Sequence, residues 1–463
     1  MCGLCLLGMT GNGWTQNVIV TNQAGKVVTS GTDFSTVQNR LKGNTATVTA
    51  DFAESGMVTL DGNTSFSITS NDFSEVRKIS AGSGMTAGNG AFFNLTSNHA
   101  LTLDLSNVQF SGGKGVTRTR LLTSYTAGGA IASDQNLTLK GNNAIFGGTE
   151  EGEGNTAERG GALFASGDIV FSGTLEFLNN SATDNGGAIY IGDLTVDFNR
   201  GDIVFSGKDS KITFRGNKAN GVNNDIYTWR ADVKIQDGGT YSFGGGIVTE
   251  NGIFRDGTLD IGAADQDGSP NVTFEDGSIS NLDGALDISN GATVTLKSGA
   301  SFVVGSSLNV VGTNTTLVLG NNITSLSTGS LTVSEYGSLV LNVGDGTFAP
   351  FEVSGAATLA ANSTVTLDFE KSFDPTKETE IHLFTVGETF TNDTSNVGWK
   401  NLPVERDISV ELFSRTLGTG TGVYARITSN SNPNPVPEPT TWGMLLLGLA
   451  TLAIYARRKR NNA

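Results

Sequence analysis

The chain has 463 residues, of which 37% are apolar, only 16% are charged, 62 are Gly and 8 are Pro. Low charge with abundant glycine favours short strands and tight turns, and apolar triplets recurring along almost the whole length exclude a disordered chain. The net charge is −16 and all four charges after Pro439 are positive, which leaves −20 on the part before it; so acidic a body argues against nucleic acid or anionic lipid as its partner.

Residues 1–15 form a short apolar run with small residues behind it. They lack the basic start of a complete secretory signal and read as the remnant of a signal peptide that begins upstream of Met1. Cys2 and Cys5 both lie in this leader, and the body has no cysteine. Disulfides are therefore not expected to hold the body together, although export is expected.

Residues 16–365 carry repeats. Gly-Asp-Ile-Val-Phe-Ser-Gly occurs at 167–173 and again at 201–207. Gly-Gly-Ala-aliphatic occurs at 128–131, 160–163 and 186–189, and Phe-x-x-Asn at Phe177 to Asn180 and Phe214 to Asn217. A Gly pair permits a tight corner with positive φ. The apolar residues that follow alternate inward along a short strand, Phe fills the core, and Asn can stack on its equivalents at a turn. One such unit cannot bury its apolar face alone, so the units must stack as coils. The uneven spacing predicts loops inserted at corners; the acidic stretch 148–159, with Glu150, Glu151, Glu153 and Glu158, is one.

Over about residues 105–220 these motifs resemble the repeats of chlamydial polymorphic outer membrane proteins. The resemblance implies a right-handed parallel β-helix with an adhesive role. The chain departs from that family at its end, where no run of strands for an outer-membrane barrel follows. Residues 230–365 keep the strand–turn rhythm in segments similar to a generic autotransporter passenger, such as Asn290-Gly-Ala-Thr-Val-Thr-Leu296. At about 25 residues and about 4.8 Å per coil, the rod is expected to reach roughly 75 Å. Residues 366–428 contain longer segments and are expected to cap the open end of an all-β solenoid.

Residues 429–439 hold four of the eight prolines and predict a stiff extended linker. Residues 440–456 are uncharged, with Trp442 and Tyr455 near their ends. As a helix they span about 26 Å, the short limit for a bilayer. Arg457, Arg458, Lys459 and Arg460 form a basic stop-transfer cluster that places this end in the cytoplasm. Val436-Pro437-Glu438-Pro439, the apolar segment and the basic tail together resemble the PEP-CTERM sorting signal of Gram-negative bacteria, over residues 436–463. The resemblance implies that Pro437, Glu438 and Pro439 are recognised by exosortase, a membrane protease-transpeptidase. It also implies a transient inner-membrane anchor and association with exopolysaccharide or biofilm matrix.

Catalytic and metal chemistry is thinly represented. His99 and His382 are the only histidines and lie in unrelated segments, so neither a zinc site nor a His-based triad is expected. Asp265-Gln-Asp267-Gly268 begins like an EF-hand loop but lacks its third acid and final Glu. Polysaccharide lyases and hydrolases need paired carboxylates on one face. Asp168, Asp184, Asp193, Asp197, Asp202 and Asp225 could share one by stacking, yet nothing singles out a pair. The expectation is a non-enzymatic surface adhesin or scaffold, without metal, cofactor or catalytic residues, facing exopolysaccharide or the surface glycans of a host or neighbour. The alternative is a carbohydrate-active β-helix enzyme.

Overall fold

The computed structural model describes residues 16–61, 64–96, 100–120, 123–192, 201–250, 256–262, 268–370, 373, 378–401, 407–418 and 420–430. The leader 1–15, most of the Pro-rich linker, the apolar segment 440–456 and the basic tail lie outside them. Among the described residues, no helix is long and apolar enough to cross a membrane.

The chain winds into a parallel β-solenoid whose coils present three faces. On the first, Ile131–Ser133, Leu163–Ala165, Ile189–Ile191, Ile226–Trp229 and Ile247–Glu250 pair in parallel, each on the next coil. The second stacks the start of Leu137–Gly147 and of Ile169–Leu178 with Ile203–Phe205, Val233–Ile235, Leu259–Ile261 and Leu286–Ile288. The third stacks the ends of the same two long strands with Lys211–Arg215, Thr240–Phe243, Asn271–Phe274 and Thr293–Leu296. Strands of the second and third faces alternate one residue in and one out, so apolar triplets such as Ile203-Val-Phe205 send two side chains inward.

Within each face parallel stacking puts like on like, and the register shift between Gly141 and Ala144 falls at the corner between two faces. The inward phenylalanines Phe110, Phe146, Phe177, Phe214, Phe243 and Phe274 form one stacked column, with centroid separations of 5.7, 5.2, 4.7, 5.2 and 5.3 Å. Each buried ring contributes about 1.5–3 kcal/mol, and offset stacking adds about 0.5–1.5 kcal/mol per pair. A corner between the second and third faces is turned by Asn107, Asn143 and Gly173, at φ 50°, 62° and 78°.

A smaller sheet flanks the first face. It joins the hairpin Val116–Arg120 and Thr123–Ala127 to Thr156–Arg159, Ser181–Asn185 and Lys218–Ala219, ending on Val222–Asn223. Between it and the solenoid lies a second apolar cluster of Tyr125, Ala127, Phe164, Tyr190 and Tyr227. Arg159 covers Tyr125 with its guanidinium 4.4 Å from the ring centre.

Both ends of the core are covered. At the start, Val18–Thr21 pairs antiparallel with Val27–Gly31 and with Thr45–Val48. The short helix Phe34–Val37 buries Phe34 and Val37 there, and Phe34 packs edge-on to Phe52 at 5.6 Å. This first cap carries no repeat signature. At the far end, parallel pairing continues through Asn396–Lys400, beyond the division at 365/366 drawn from the sequence. The antiparallel element is the hairpin Asp407–Leu417 with Gly420–Asn430, whose second strand closes on Thr379–Val386.

Coil length varies from 38 residues between Phe93 and Ile131 to 21 between Ile226 and Ile247. The early coils exceed the expected 25 because the flanking sheet and the loop at 148–155 are inserted in them. Twelve rungs run along the second face, from Thr64–Ser70 to Phe390–Asn392. The stack is therefore about 50 Å long, shorter than 75 Å. Phe177→Ala would leave a void in the middle of the phenylalanine column. It is expected to cost about 3–5 kcal/mol in urea unfolding, whereas substitution at the exposed Phe73 is expected to cost under about 0.5 kcal/mol.

Candidate functional site

The Phe-x-x-Asn motif builds a ladder of buried amides. Asn155, Asn180, Asn217 and Asp225 are all fully buried. The Asn180 Oδ1 accepts from the Asn155 backbone N–H and side-chain amide, both at 3.0 Å. The Asn217 Oδ1 does the same for Asn180 at 3.0 Å. Each side-chain amide also donates to a carbonyl one coil back, Asn180 to Phe146 and Asn217 to Phe177. Asp225 ends the ladder, accepting from Asn217 at 2.8 Å and from the backbone of Gly245 and Gly246 at 2.6 and 3.0 Å. Sequence reasoning found Asn180 and Asn217 but missed Asn155, because residues 148–154 are inserted between Phe146 and its asparagine.

Beside the ladder runs the Gly-Gly-Ala column. Gly160 has φ 63°, and a Cβ on Gly161 would lie 2.1 Å from the Gly187 carbonyl oxygen. The first glycine is required by conformation and the second by close approach of the next coil.

Four of the acids singled out from the sequence lie among the described residues, and each has a partner there. Asp168 and Asp202 belong to a second turn ladder. Asp168 accepts from the Asp202 N–H at 2.9 Å, and Asp202 from the Asp232 N–H at 3.3 Å. Asp184 pairs with Arg159 at 2.9 Å, and Asp225 is the buried ladder terminus. Asp193 and Asp197 lie outside the described residues, as do His99, Asp265 and Asp267. His382 stacks on Tyr424 at 4.6 Å within the C-terminal cap, and burial lowers its pKa.

The acidic loop is a strap. Glu153 pairs with Lys78 at 3.2 Å and Glu151 with Lys218 at 2.9 Å, tying the loop to coils on either side of its own. Glu158 accepts from the Thr126 N–H. These carboxylates face separate partners, and among the described residues no group of three His, Cys, Asp or Glu is placed to hold a metal ion.

An outward row on the second face was not foreseen. Val204, Lys234, Asp260 and Asp287 follow one another in register, and Asn309 donates to Asp287 at 2.7 Å. Lys234 bonds Asp202 at 2.6 Å. Burial raises the Asp260 pKa and the neighbouring Asp287 charge raises it further. Only the coil register reveals this row, because the two Leu-Asp-Ile segments that carry the acids are 27 residues apart.

The sorting residues Pro437, Glu438 and Pro439 and the basic cluster Arg457, Arg458, Lys459 and Arg460 lie outside the described residues, beyond the strand that ends at Asn430. Residues 435–460 match the family model described as the PEP-CTERM protein-sorting motif. No curated protein and no solved structure matches the chain. Signals of this type are processed by exosortase, a membrane enzyme, and mark the chain as an exported protein of the cell envelope or the exterior.

The ladder has two measurable consequences. Asn180→Ala leaves the Phe146 carbonyl and the Asn155 donors unpaired in the interior, and is expected to cost about 1–3 kcal/mol for each such group in urea unfolding. The second consequence concerns pH. Burial pushes the Asp225 carboxyl up to about 7 from 3.8, and Glu54, which accepts from the Phe34 and Ser35 amides, up to about 7 from 4.5. Between about pH 4 and 7 the folded state thus holds more protons than the unfolded chain, so stability falls as pH rises through that window. The thermal midpoint is expected to be higher at pH 5.5 than at pH 8. Asp225→Asn and Glu54→Gln are each expected to flatten that slope.

Proposed function

We propose that this protein is a non-enzymatic scaffold or adhesin, a right-handed β-helical rod displayed at the cell surface through its PEP-CTERM signal. In this reading exosortase removes the tail after recognising Pro437-Glu438-Pro439, the segment 440–456 anchors the chain in the inner membrane only until then, and the rod faces exopolysaccharide or surface glycans. The match at residues 435–460 carries the sorting half of the reading. The scaffold half is supported by how the acids of the repeats are used, since Asp168, Asp202 and Asp225 accept backbone hydrogen bonds that hold coil on coil. The right-handed sense follows the general rule for parallel crossovers.

A change of Pro437, Glu438 and Pro439 to Ala is expected to leave the protein in the membrane fraction at its unprocessed mass, while the parent chain leaves that fraction with a smaller mass. Equal mass and equal distribution of the two would refute the sorting reading.

The row of Asp260 and Asp287 supports a second reading, a carbohydrate-active enzyme, because two neighbouring carboxyls, one of them with its pKa raised by burial, suit general acid–base chemistry. It predicts release of reducing ends or unsaturated uronates from a matrix polysaccharide, lost in Asp260→Asn. Under the scaffold reading neither protein releases any.

A further inference from the structure

Near the first cap, the corner between the second and third faces opens outward into a shallow cleft of about 300 Å³. Two outward rows cross it in register over three coils. One is Ser67, Asp104 and Lys140, and the other is Thr69, Ser106 and Asn142. The buried Ile68 and Leu105 stand between the rows. The cleft thus offers hydroxyls, a carboxylate, an ammonium and an amide, repeated at about the 4.8 Å spacing of the coils.

Among the described residues Asp104 and Lys140 take part in no ion pair, whereas Lys78, Lys218, Lys234 and Lys297 each do.

A separate observation concerns Phe73, which is 84% exposed and is the most exposed of the large apolar side chains among the described residues. Its segment is held beside the cleft. Asn107, which follows the cleft residue Ser106, donates to the Phe73 carbonyl at 3.3 Å, and Asn143 donates to Asn107 at 2.8 Å. Ser74 bonds Asp72 through both its N–H and its hydroxyl, at 2.8 and 2.6 Å. An exposed phenyl ring contributes nothing to the core that packing explains; in the cleft beside its segment Asn142 donates to Ser106 at 3.2 Å, while Asp104 and Lys140 have no ion-pair partner among the described residues.

We propose that this corner binds a neutral, hydroxyl-rich saccharide, with Asp104 accepting and Lys140 and Asn142 donating to sugar hydroxyls while Phe73 offers its ring to the apolar face of a pyranose. This rests on the glycan-facing half of the scaffold reading and gives it a location. An apolar ring beside a few convergent polar groups is the usual composition of a small-ligand site. The cleft is too small for a stable protein interface, which needs about 800 Å² from each partner. The −16 charge of the chain repels polyanionic glycans at long range, and the cleft's own charges cancel.

The test uses the full chain, with cellohexaose and chitohexaose as neutral probes and an alginate hexamer as the acidic one, followed by titration calorimetry. The parent protein is expected to bind a neutral probe and to prefer it to alginate. Phe73→Ala and the double variant Asp104→Asn, Lys140→Gln are each expected to weaken that binding at least tenfold with unchanged melting. Phe73→Tyr, which keeps the ring, is expected to retain it. Binding that survives all these changes places the glycan site elsewhere and overturns the proposal while leaving the glycan-facing reading intact. Absence of binding to both neutral probes, a preference for alginate, or self-association of the parent chain lost in Phe73→Ala would each overturn it too. Membrane fractionation of the sorting variant is independent of every one of these outcomes.

Discussion

Each coil sits on the next at the spacing of a β-ladder, about 4.8 Å, and this single constraint governs the interior. A side chain in the core has its own equivalents above and below it. Aromatic rings respond by stacking, as in the column from Phe110 to Phe274. A buried amide is costly alone, but in a column each amide supplies what its neighbour needs. Asn155, Asn180 and Asn217 therefore remain in a dry interior with their hydrogen bonds made. The price is that the column needs an end, and Asp225 is a terminus that accepts from amide and backbone alike.

Stacking constrains the strands and leaves the corners free. Insertions are tolerated there as long as the chain returns in register. The hairpin at Val116–Arg120 and Thr123–Ala127 and the strap at residues 148–155 are such insertions. A stack also has two open ends with exposed edges. This chain covers them differently, with a helix and antiparallel strands at the start and a long antiparallel hairpin at the finish. On that last hairpin Arg426 contacts Glu378, Glu380 and Glu411. Exposed pairs of this kind contribute little singly, but one guanidinium shared by three carboxylates holds two strands and the preceding segment together.

The division between interior and surface bears on function. Several acids that looked free in the repeats serve the turns, and the polar groups left over lie on outward rows. Such rows are regular and built on strands that pair from coil to coil. In sequence, the sorting motif at residues 435–460 follows the last described strand of the cap.

The sequence by itself determined the all-β class, the stacking of repeats and the destination of the protein. Alternation, glycine corners and Phe-x-x-Asn are local patterns, and the sorting motif at residues 435–460 is read as a linear string. Asn180 and Asn217 were legible because each follows its phenylalanine at fixed spacing. The tertiary structure alone decided which distant residues meet. Asn155 joined the ladder across an insertion, and Asp260 met Asp287 through coil register. The first cap, the true extent of the last coils and the cleft at Asp104 and Lys140 emerged the same way. Coil lengths range from 21 residues between Ile226 and Ile247 to 38 between Phe93 and Ile131, so no fixed period in the sequence announces these pairs. They are set by where each loop returns the chain to its ladder.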